Sequence, residues 1–275
     1  MNEVIIHLIC PDQKGIIAEL TSTLYDANAN ILSIEQHVDN KDQKFYIRIL
    51  SDLSSLKIKF DDLKNNLCLI NSKLNGKINF YNPDIKINAA ILGTTESEPI
   101  YELLIKNKSG DLNCIFPIII SNHNKLKYIS EQFKIKYSKV NNNKKLLSIL
   151  EENNIELIIL ARYMQIIPKR IIDRFKNRII NIHHGFLPAF KGANPYKQAA
   201  EKGVKLIGAT AHYATEALDE GPIIHQDVVR VSHTDTEKKM KHLGKEIERS
   251  VLHKAVKAHL DYKVITYNNK TIVFK

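Results

Sequence analysis

The sequence predicts an α/β chain of two domains, and three observations carry that reading. Up to residue 82 the apolar pattern runs strand, helix, strand, strand, helix, strand. After a short turn-rich segment, strands and helices then alternate one for one. Finally, 275 residues are enough to bury two cores. A hydrophobic content of 44% with 25% charged residues excludes a chain too polar to collapse.

The elements of the first part follow in order. Val4 to Ile9 is β-rich and is closed by the breaker-rich turn Pro11-Asp12-Gln13-Lys14-Gly15. Ile16, Ile17, Leu20 and Leu24 recur at helical spacing, and Asn28-Ala29-Asn30 ends that helix. Ile31 to Val38 alternates as a strand and Lys44 to Leu50 forms another. Leu53 to Leu69 suits a second helix and Lys77 to Tyr81 a last short strand. The order βαββαβ implies an α+β sandwich with its helices on one sheet face.

Asn82-Pro83-Asp84 reads as the linker, giving domains over 1–82 and 87–275 joined by 83–86. Beyond it, strands are expected over Ile85–Leu92, Cys114–Ser121, Ile155–Leu160 and Ile179–His183. Helices are expected over Glu98–Ser109, Leu126–Phe133, Lys144–Asn153 and Pro168–Phe175, the last with proline at its start. This rhythm predicts a mostly parallel sheet covered on both faces. Val204–Tyr213 and Ile223–Val231 read as an antiparallel extension, and Thr236–Leu260 as a long closing helix.

The net charge of +10 raises a nucleic-acid partner, but only seven of the 40 cations are arginine. The lysines are scattered among Asn and Ile, as in Asn141-Asn142-Asn143-Lys144-Lys145, so a solvated surface is expected and no nucleic acid. No apolar run approaches the roughly 18 residues of a membrane span, and Met1-Asn2-Glu3 lacks a basic leader. Cys10, Cys68 and Cys114 are odd in number and unpatterned, which fits reduced thiols in the cytoplasm.

Chemistry concentrates in Asn181-Ile-His-His-Gly-Phe-Leu-Pro188. Asn181 and His183 project to one face of the strand, which Gly185 and Pro188 then break. Polar groups at the end of a buried strand are a typical ligand position in an open α/β sheet. Leu218-Asp219-Glu220-Gly221-Pro222 adds a carboxylate in a turn, and amide, imidazole and carboxylate together suit acyl chemistry. His212, alternating with Gly208 and Thr210, reads either as support for this site or as a core histidine. His184 points away from His183 if the strand persists, and reads as structural.

Cys10 to Thr21 followed by Ala29 to Leu32 resembles an ACT domain, a ferredoxin-like amino-acid-binding module. Asn181 to Ala193, Leu160 to Ile166 and the Asp219 turn resemble the folate-dependent formyltransferase fold, a Rossmann-like domain. Together they make the whole chain similar to the formyltetrahydrofolate deformylase family. The resemblance implies hydrolysis of 10-formyltetrahydrofolate by water to formate and tetrahydrofolate, with Asn181, His183 and Asp219 catalytic and no metal or cofactor. It implies that the backbone of Tyr163, Met164, Gln165 and Ile166 faces that of Thr215 and Leu218 across the pterin ring. His212 stands beside them as possible support. It implies an effector site at Asp12, Gly15, Asn30 and Ile31 between paired domains, glycine or methionine as effector, and a homo-oligomer. Gly15 can instead simply make its turn, and Asn30 can cap a helix end. The position after the paired histidines is often serine in this family; here it is Gly185.

On the residues alone, His183 can donate to the formyl oxygen with Asn181 beside it, and Asp219 can take a proton from water. Burial is expected to raise the Asp219 pKa. A glycinamide-ribonucleotide formyltransferase is the closest alternative. Its Gly-rich phosphate loop is replaced by Gly93-Thr94-Thr95-Glu96-Ser97-Glu98-Pro99, whose carboxylates repel a phosphate at a helix start. A methionyl-tRNA formyltransferase is disfavoured because no further domain follows. Metal and serine hydrolases are disfavoured by the lack of His-Glu-x-x-His and Gly-x-Ser-x-Gly. An inert amino-acid-sensing regulator is the remaining alternative.

Overall fold

The computed structural model describes residues 2–189 and 195–275. The chain divides into two compact units, one running through Ile85 and including Phe274 and Lys275, the other spanning Lys86–Val273.

In the first unit, β1 (Glu3–Pro11), α1 (Ile16–Asp26), β2 (Asn30–Asp39), β3 (Lys44–Asp52), α2 (Phe60–Lys73) and β4 (Lys77–Tyr81) follow the expected order. The strands form an antiparallel sheet in the order β2-β3-β1-β4. Val4, Ile6 and Leu8 alternate toward Leu20 and Leu24 of α1 and Leu63 and Leu67 of α2, forming one core. Two sequence expectations shift. The second helix begins at Phe60, not Leu53, because the Asp52 carboxylate accepts from Ser54 N–H and Oγ and holds a turn there. Asn28, not Asn30, ends α1: it sits at φ 61 while Ala29 N–H closes onto Leu24 C=O, and Asn30 is already the first residue of β2.

The second unit begins with β5 (Ile87–Leu92), α3 (Glu98–Lys108), β6 (Cys114–Ser121), α4 (Lys127–Phe133), β7 (Lys136–Lys139) and α5 (Asn143–Glu152). It continues with β8 (Leu157–Leu160), α6 (Lys169–Arg174), β9 (Ile179–His183), α7 (Pro195–Glu201), β10 (Leu206–Tyr213) and β11 (Ile223–Arg230). It closes with α8 (Glu237–Leu260), β12 (Val264–Tyr267) and β13 (Lys270–Val273). The seven-stranded sheet runs β11-β10-β9-β8-β5-β6-β7; the pairs from β7 to β9 are parallel and the two beyond are antiparallel.

The central strands are apolar on both faces because both are covered. Ala89 and Ile91 of β5 pack with Leu103 of α3 and Val251 and Leu252 of α8. Ala90 and Leu92 pack with Leu146 and Leu150 of α5 and Ile171 of α6. Strand order reverses beside β5, since β6 lies on one side and β8 on the other. A crevice is therefore expected at their carboxyl ends.

Four elements gave no readable signal. Strand β7 (Lys-Tyr-Ser-Lys) is a polar edge strand, α7 has seven residues, and β12 and β13 are four-residue partners of a separate hairpin. Pro168 occupies the cap before α6 and does not start the helix itself. Thr236 caps α8 by accepting from Lys239 N–H. Among the described residues no helix is long and apolar enough to cross a membrane.

Candidate active site

The carboxyl end of β9 builds the centre. Strand β9 pairs antiparallel with β10, so Asn181 lies directly opposite His212 and Ile182 opposite Ala211, with His183 opposite Thr210. Cross-strand partners share a face, and Asn181 Nδ2 accordingly sits 3.1 Å from His212 Nε2. His212 Nδ1 lies 3.0 Å from the Tyr213 carbonyl, which only accepts, so that nitrogen carries the proton. With that proton on Nδ1, Nε2 accepts from the Asn181 amide.

Asp219 arrives from the turn between β10 and β11. Its backbone is left-handed (φ 56), which Asp tolerates better than most residues. Gly221 lets the turn fold back, because an added Cβ there would overlap the Tyr213 carbonyl. Asn269, from the β12–β13 turn, donates to Glu220 C=O at 2.8 Å and ties the loop down. Asp219 Oδ2 thus reaches 3.2 Å from His183 Nδ1, and Oδ1 lies 3.7 Å from His212 Nε2. The three side chains are 7%, 4% and 2% exposed.

This arrangement corrects the expected Asp219 acidity. Burial does push its carboxyl up, but the His183 and His212 imidazoles beside it more than offset that. The carboxyl is held well below the ordinary range. His183 carries more of the effect than His212, whose 3.7 Å separation exceeds hydrogen-bond range. Asp219 is therefore an ionised acceptor at neutral pH.

A cavity of about 350 Å³ is lined by Asn181, His183 and Asp219 together with Tyr163, Met164, Gln165 and Ile166. Thr94 accepts from Met164 N–H at 2.9 Å, joining the loops after β5 and β8 across the crevice where strand order reverses. A smaller cavity of about 160 Å³ is lined by Tyr163, Gln165 and Ile166 and by Thr215 and Leu218. Asn181, His212 and Asp219 also line it. Both expected walls thus border one space. Among the described residues no group of three or more His, Cys, Asp or Glu is placed to hold a metal ion.

Comparison with known proteins bears on this geometry. The Formyl transferase family model matches residues 87–256 and the ACT domain model residues 4–57. The formyltetrahydrofolate deformylase of Synechocystis sp. is 40% identical over 96% of this chain and 96% of its own. That of Bacillus subtilis is 42% identical over 96% of this chain and 91% of its own. The chain belongs to the formyltetrahydrofolate deformylase family. The crystal structure of a formyltetrahydrofolate deformylase from Pseudomonas syringae superimposes with a TM-score of 0.95 at 35% identity, covering 100% of this chain and 95% of that one.

In this deformylase-family chain, several residues around the centre escaped the sequence reading. Strand β9 ends at His183, so alternation stops there. His184 lines the same cavity instead of pointing away, its ring centroid 5.5 Å from that of His183. Burial, reinforced by the Arg162 and His183 charges, pulls its pKa from 6.5 to about 3, so His184 is neutral. Thr210 Oγ1 donates to Gly185 C=O (2.9 Å) and accepts from Leu187 N–H (3.0 Å) and Gln226 Nε2 (2.9 Å), fixing the turn after β9. Phe190 to Ala193, part of the quoted motif, lie outside the described residues. Arg162 stood inside the Leu160–Ile166 motif, but nothing in the sequence paired it with Glu248, 86 positions on and 3.5 Å away.

The expected effector residues do not converge within one chain. Asp12 and Gly15 follow the end of β1, where Pro11 pairs with Lys44. Asn30 begins β2 opposite Asp52, which pairs with Glu3 at the start of β1. Eight residue steps of ladder separate the two ends, about 26 Å at ~3.3 Å per residue. Gly15 has φ 92 and open space beside its Cα, so its glycine is required by backbone conformation.

Proposed function

We propose that this chain is an amide hydrolase (EC 3.5.1.10) that converts 10-formyltetrahydrofolate and water to formate and tetrahydrofolate, supplying formate for one-carbon metabolism and purine synthesis. The observation that carries the reading is the 3.2 Å approach of Asp219 Oδ2 to His183 Nδ1 on a cavity wall shared with Asn181. The formyl carbon sits among these three groups. Asn181 gives one amide hydrogen to His212 and directs the other at the formyl oxygen, with His183 beside it. Donors aimed at a developing oxyanion supply roughly 3–4 kcal/mol each.

Asp219, ionised, accepts a hydrogen from the attacking water and orients it. So acidic a carboxyl is a weak base toward free water. It becomes adequate once the oxygen–carbon bond has formed and the added water is itself acidic. The proton then passes to N10 as the carbon–nitrogen bond breaks. The backbone of Tyr163–Ile166 and of Thr215–Leu218 flanks the pterin ring, in keeping with the walls of the smaller cavity.

The transferase alternative is disfavoured at the loop after β5. Glu96 and Glu98 both reach Lys245 of α8 and keep their carboxylates at the start of α3, where a phosphate would otherwise bind. An inert regulator would not need Asn181, His183 and Asp219 gathered on one cavity.

Residues 1–82 act as the regulatory module and 87–273 as the catalytic domain, joined by 83–86, while Phe274 and Lys275, expected in the catalytic domain, group with the first unit. Because one chain separates its effector residues by most of a sheet, glycine or methionine binds between two copies, and the protein is a homo-oligomer. Leu32 and Ile34, 48% and 42% exposed on the edge strand β2, supply apolar surface for that pairing. The thiols of Cys10 and Cys114, pushed up by burial to about 11 and about 12, are unreactive and suit the cytoplasm. Asp219→Ala tests the catalytic reading: folding is retained, shown by an unchanged circular dichroism spectrum, while formate release is lost. Retained turnover removes Asp219 from the mechanism.

A further inference from the structure

The loop after β8 carries a guanidinium that the reaction above does not use. Arg162 is left-handed (φ 59), its side chain is 12% exposed, and it lines the larger cavity with Asn181, His183 and Asp219. Its anionic neighbour Glu248 stays 3.5 Å away, and buried Arg162 Nη1 has no hydrogen-bond partner among the described residues. A buried N–H left unpaired is costly and calls for a partner.

Only one oxygen of Glu248 turns toward Arg162. Its Oε2 is the atom 3.5 Å from Arg162 Nη1, while Oε1 accepts from the Tyr196 hydroxyl at 2.6 Å, and burial pushes the carboxyl up against the opposing pull of Arg162. Gly244, one turn earlier on α8, makes this possible: an added Cβ there would overlap the Tyr196 ring and hydroxyl. The network therefore holds Arg162 in place without fully neutralising it. His184 on the same wall stays neutral and does not compete for an anion.

The anion this cavity generates is a small carboxylate. Water oxygen bonds to the formyl carbon, and the carbon–N10 bond breaks with its electron pair going to N10, which takes a proton. The formic acid released then ionises, its proton passing to solvent. We propose that Arg162 is a product subsite that receives formate, its planar fork of donors matching the planar carboxylate. This rests on the hydrolytic reading above.

The test uses the full-length chain and sodium formate, with sodium acetate and sodium chloride at matched ionic strength. Inhibition is read from tetrahydrofolate release, and direct binding from the resonance of isotope-labelled formate. Formate is expected to inhibit the natural chain at concentrations where chloride does not. Arg162→Gln is expected to raise the formate inhibition constant by about tenfold or more. Affinity for tetrahydrofolate should change by less than about threefold, a split that mere loss of packing would not give. Should Arg162→Gln fail to fold, Arg162→Lys, which keeps charge but loses the fork, is expected to give an intermediate constant. An unchanged constant in the folded variant, or formate no better than chloride, overturns the subsite. If the natural chain releases no formate from 10-formyltetrahydrofolate, the hydrolytic reading fails on its own, and labelled-formate binding to both chains still decides Arg162.

Discussion

At Asp219 two influences of opposite sign meet, and which one wins sets its chemistry. Burial disfavours the carboxylate, whereas His183 and His212 favour it more strongly, so the group is acidic and ionised. A carboxyl depressed in the folded state stabilises the fold above the ordinary carboxylate range, and that contribution is lost as pH falls below it. His184 and His259 act higher up the scale. Their folded values are depressed from 6.5 to about 3 and about 4, chiefly by burial. The unfolded chain therefore binds more protons than the folded one between about 4 and 6.5, and stability falls as pH falls through that window. His259 also sits 2.7 Å from the Tyr213 hydroxyl. His259→Gln is expected to flatten the fall in melting temperature between pH 6.5 and 4, whatever it does to the value at pH 7.5; parallel curves would exclude His259 as a contributor. Asn181→Ala, which removes an oxyanion donor, is expected to lower kcat about 100-fold or more with little change in KM. The convergence of Asn181 and His183 was legible because strand alternation is local. The acidity of Asp219 was not, because it depends chiefly on His183 of another strand, brought beside it only by the pairing of β9 with β10.

Among the elements, the antiparallel β9–β10 pair sets His212 against Asn181, and the β12–β13 hairpin fastens the Asp219 turn. Asn269 donates to Glu220 C=O, and Thr271 Oγ1 donates to Ile223 C=O. The Ala211↔His225 and His212↔Ile223 pairs skip Ile224, a bulge in β11 beside the site, where such irregularities re-aim neighbouring residues. Gly221→Ala is expected to destabilise the fold by about 1–3 kcal/mol through its overlap with the Tyr213 carbonyl, and to cut turnover by more than that stability loss explains. Chemical denaturation and formate release on the same preparation measure both; normal values for each would show that the turn is not tightly constrained. The long apolar strands and α8 were legible from periodicity. The hairpin was not, since four-residue strands carry too few alternations, and β7 alternates no apolar residues because it is a polar edge.

For the whole molecule, the first unit's register has a consequence for regulation. Asp12 and Asn30 lie at opposite ends of one sheet, so a small amino acid cannot touch both within one copy. Full-length Asp12→Ala and Asn30→Ala are each expected to abolish the rate response to glycine or methionine, and co-expression of the two chains should restore part of it through mixed pairs. No restoration would confine the effector to a single copy. The two-domain order was legible from the change in patterning near residue 82, because a sandwich and a wound sheet impose different rhythms. The separation of the effector residues was not, since register depends on pairing that no local pattern reveals. The central claim is that solvent, not an amine, takes the formyl group beside His183 and Asp219. Its most direct test is formate release from 10-formyltetrahydrofolate with and without glycinamide ribonucleotide. Equal formate with and without that acceptor, matched by tetrahydrofolate, is the expected result; turnover that requires the acceptor and yields its formylated product would contradict it.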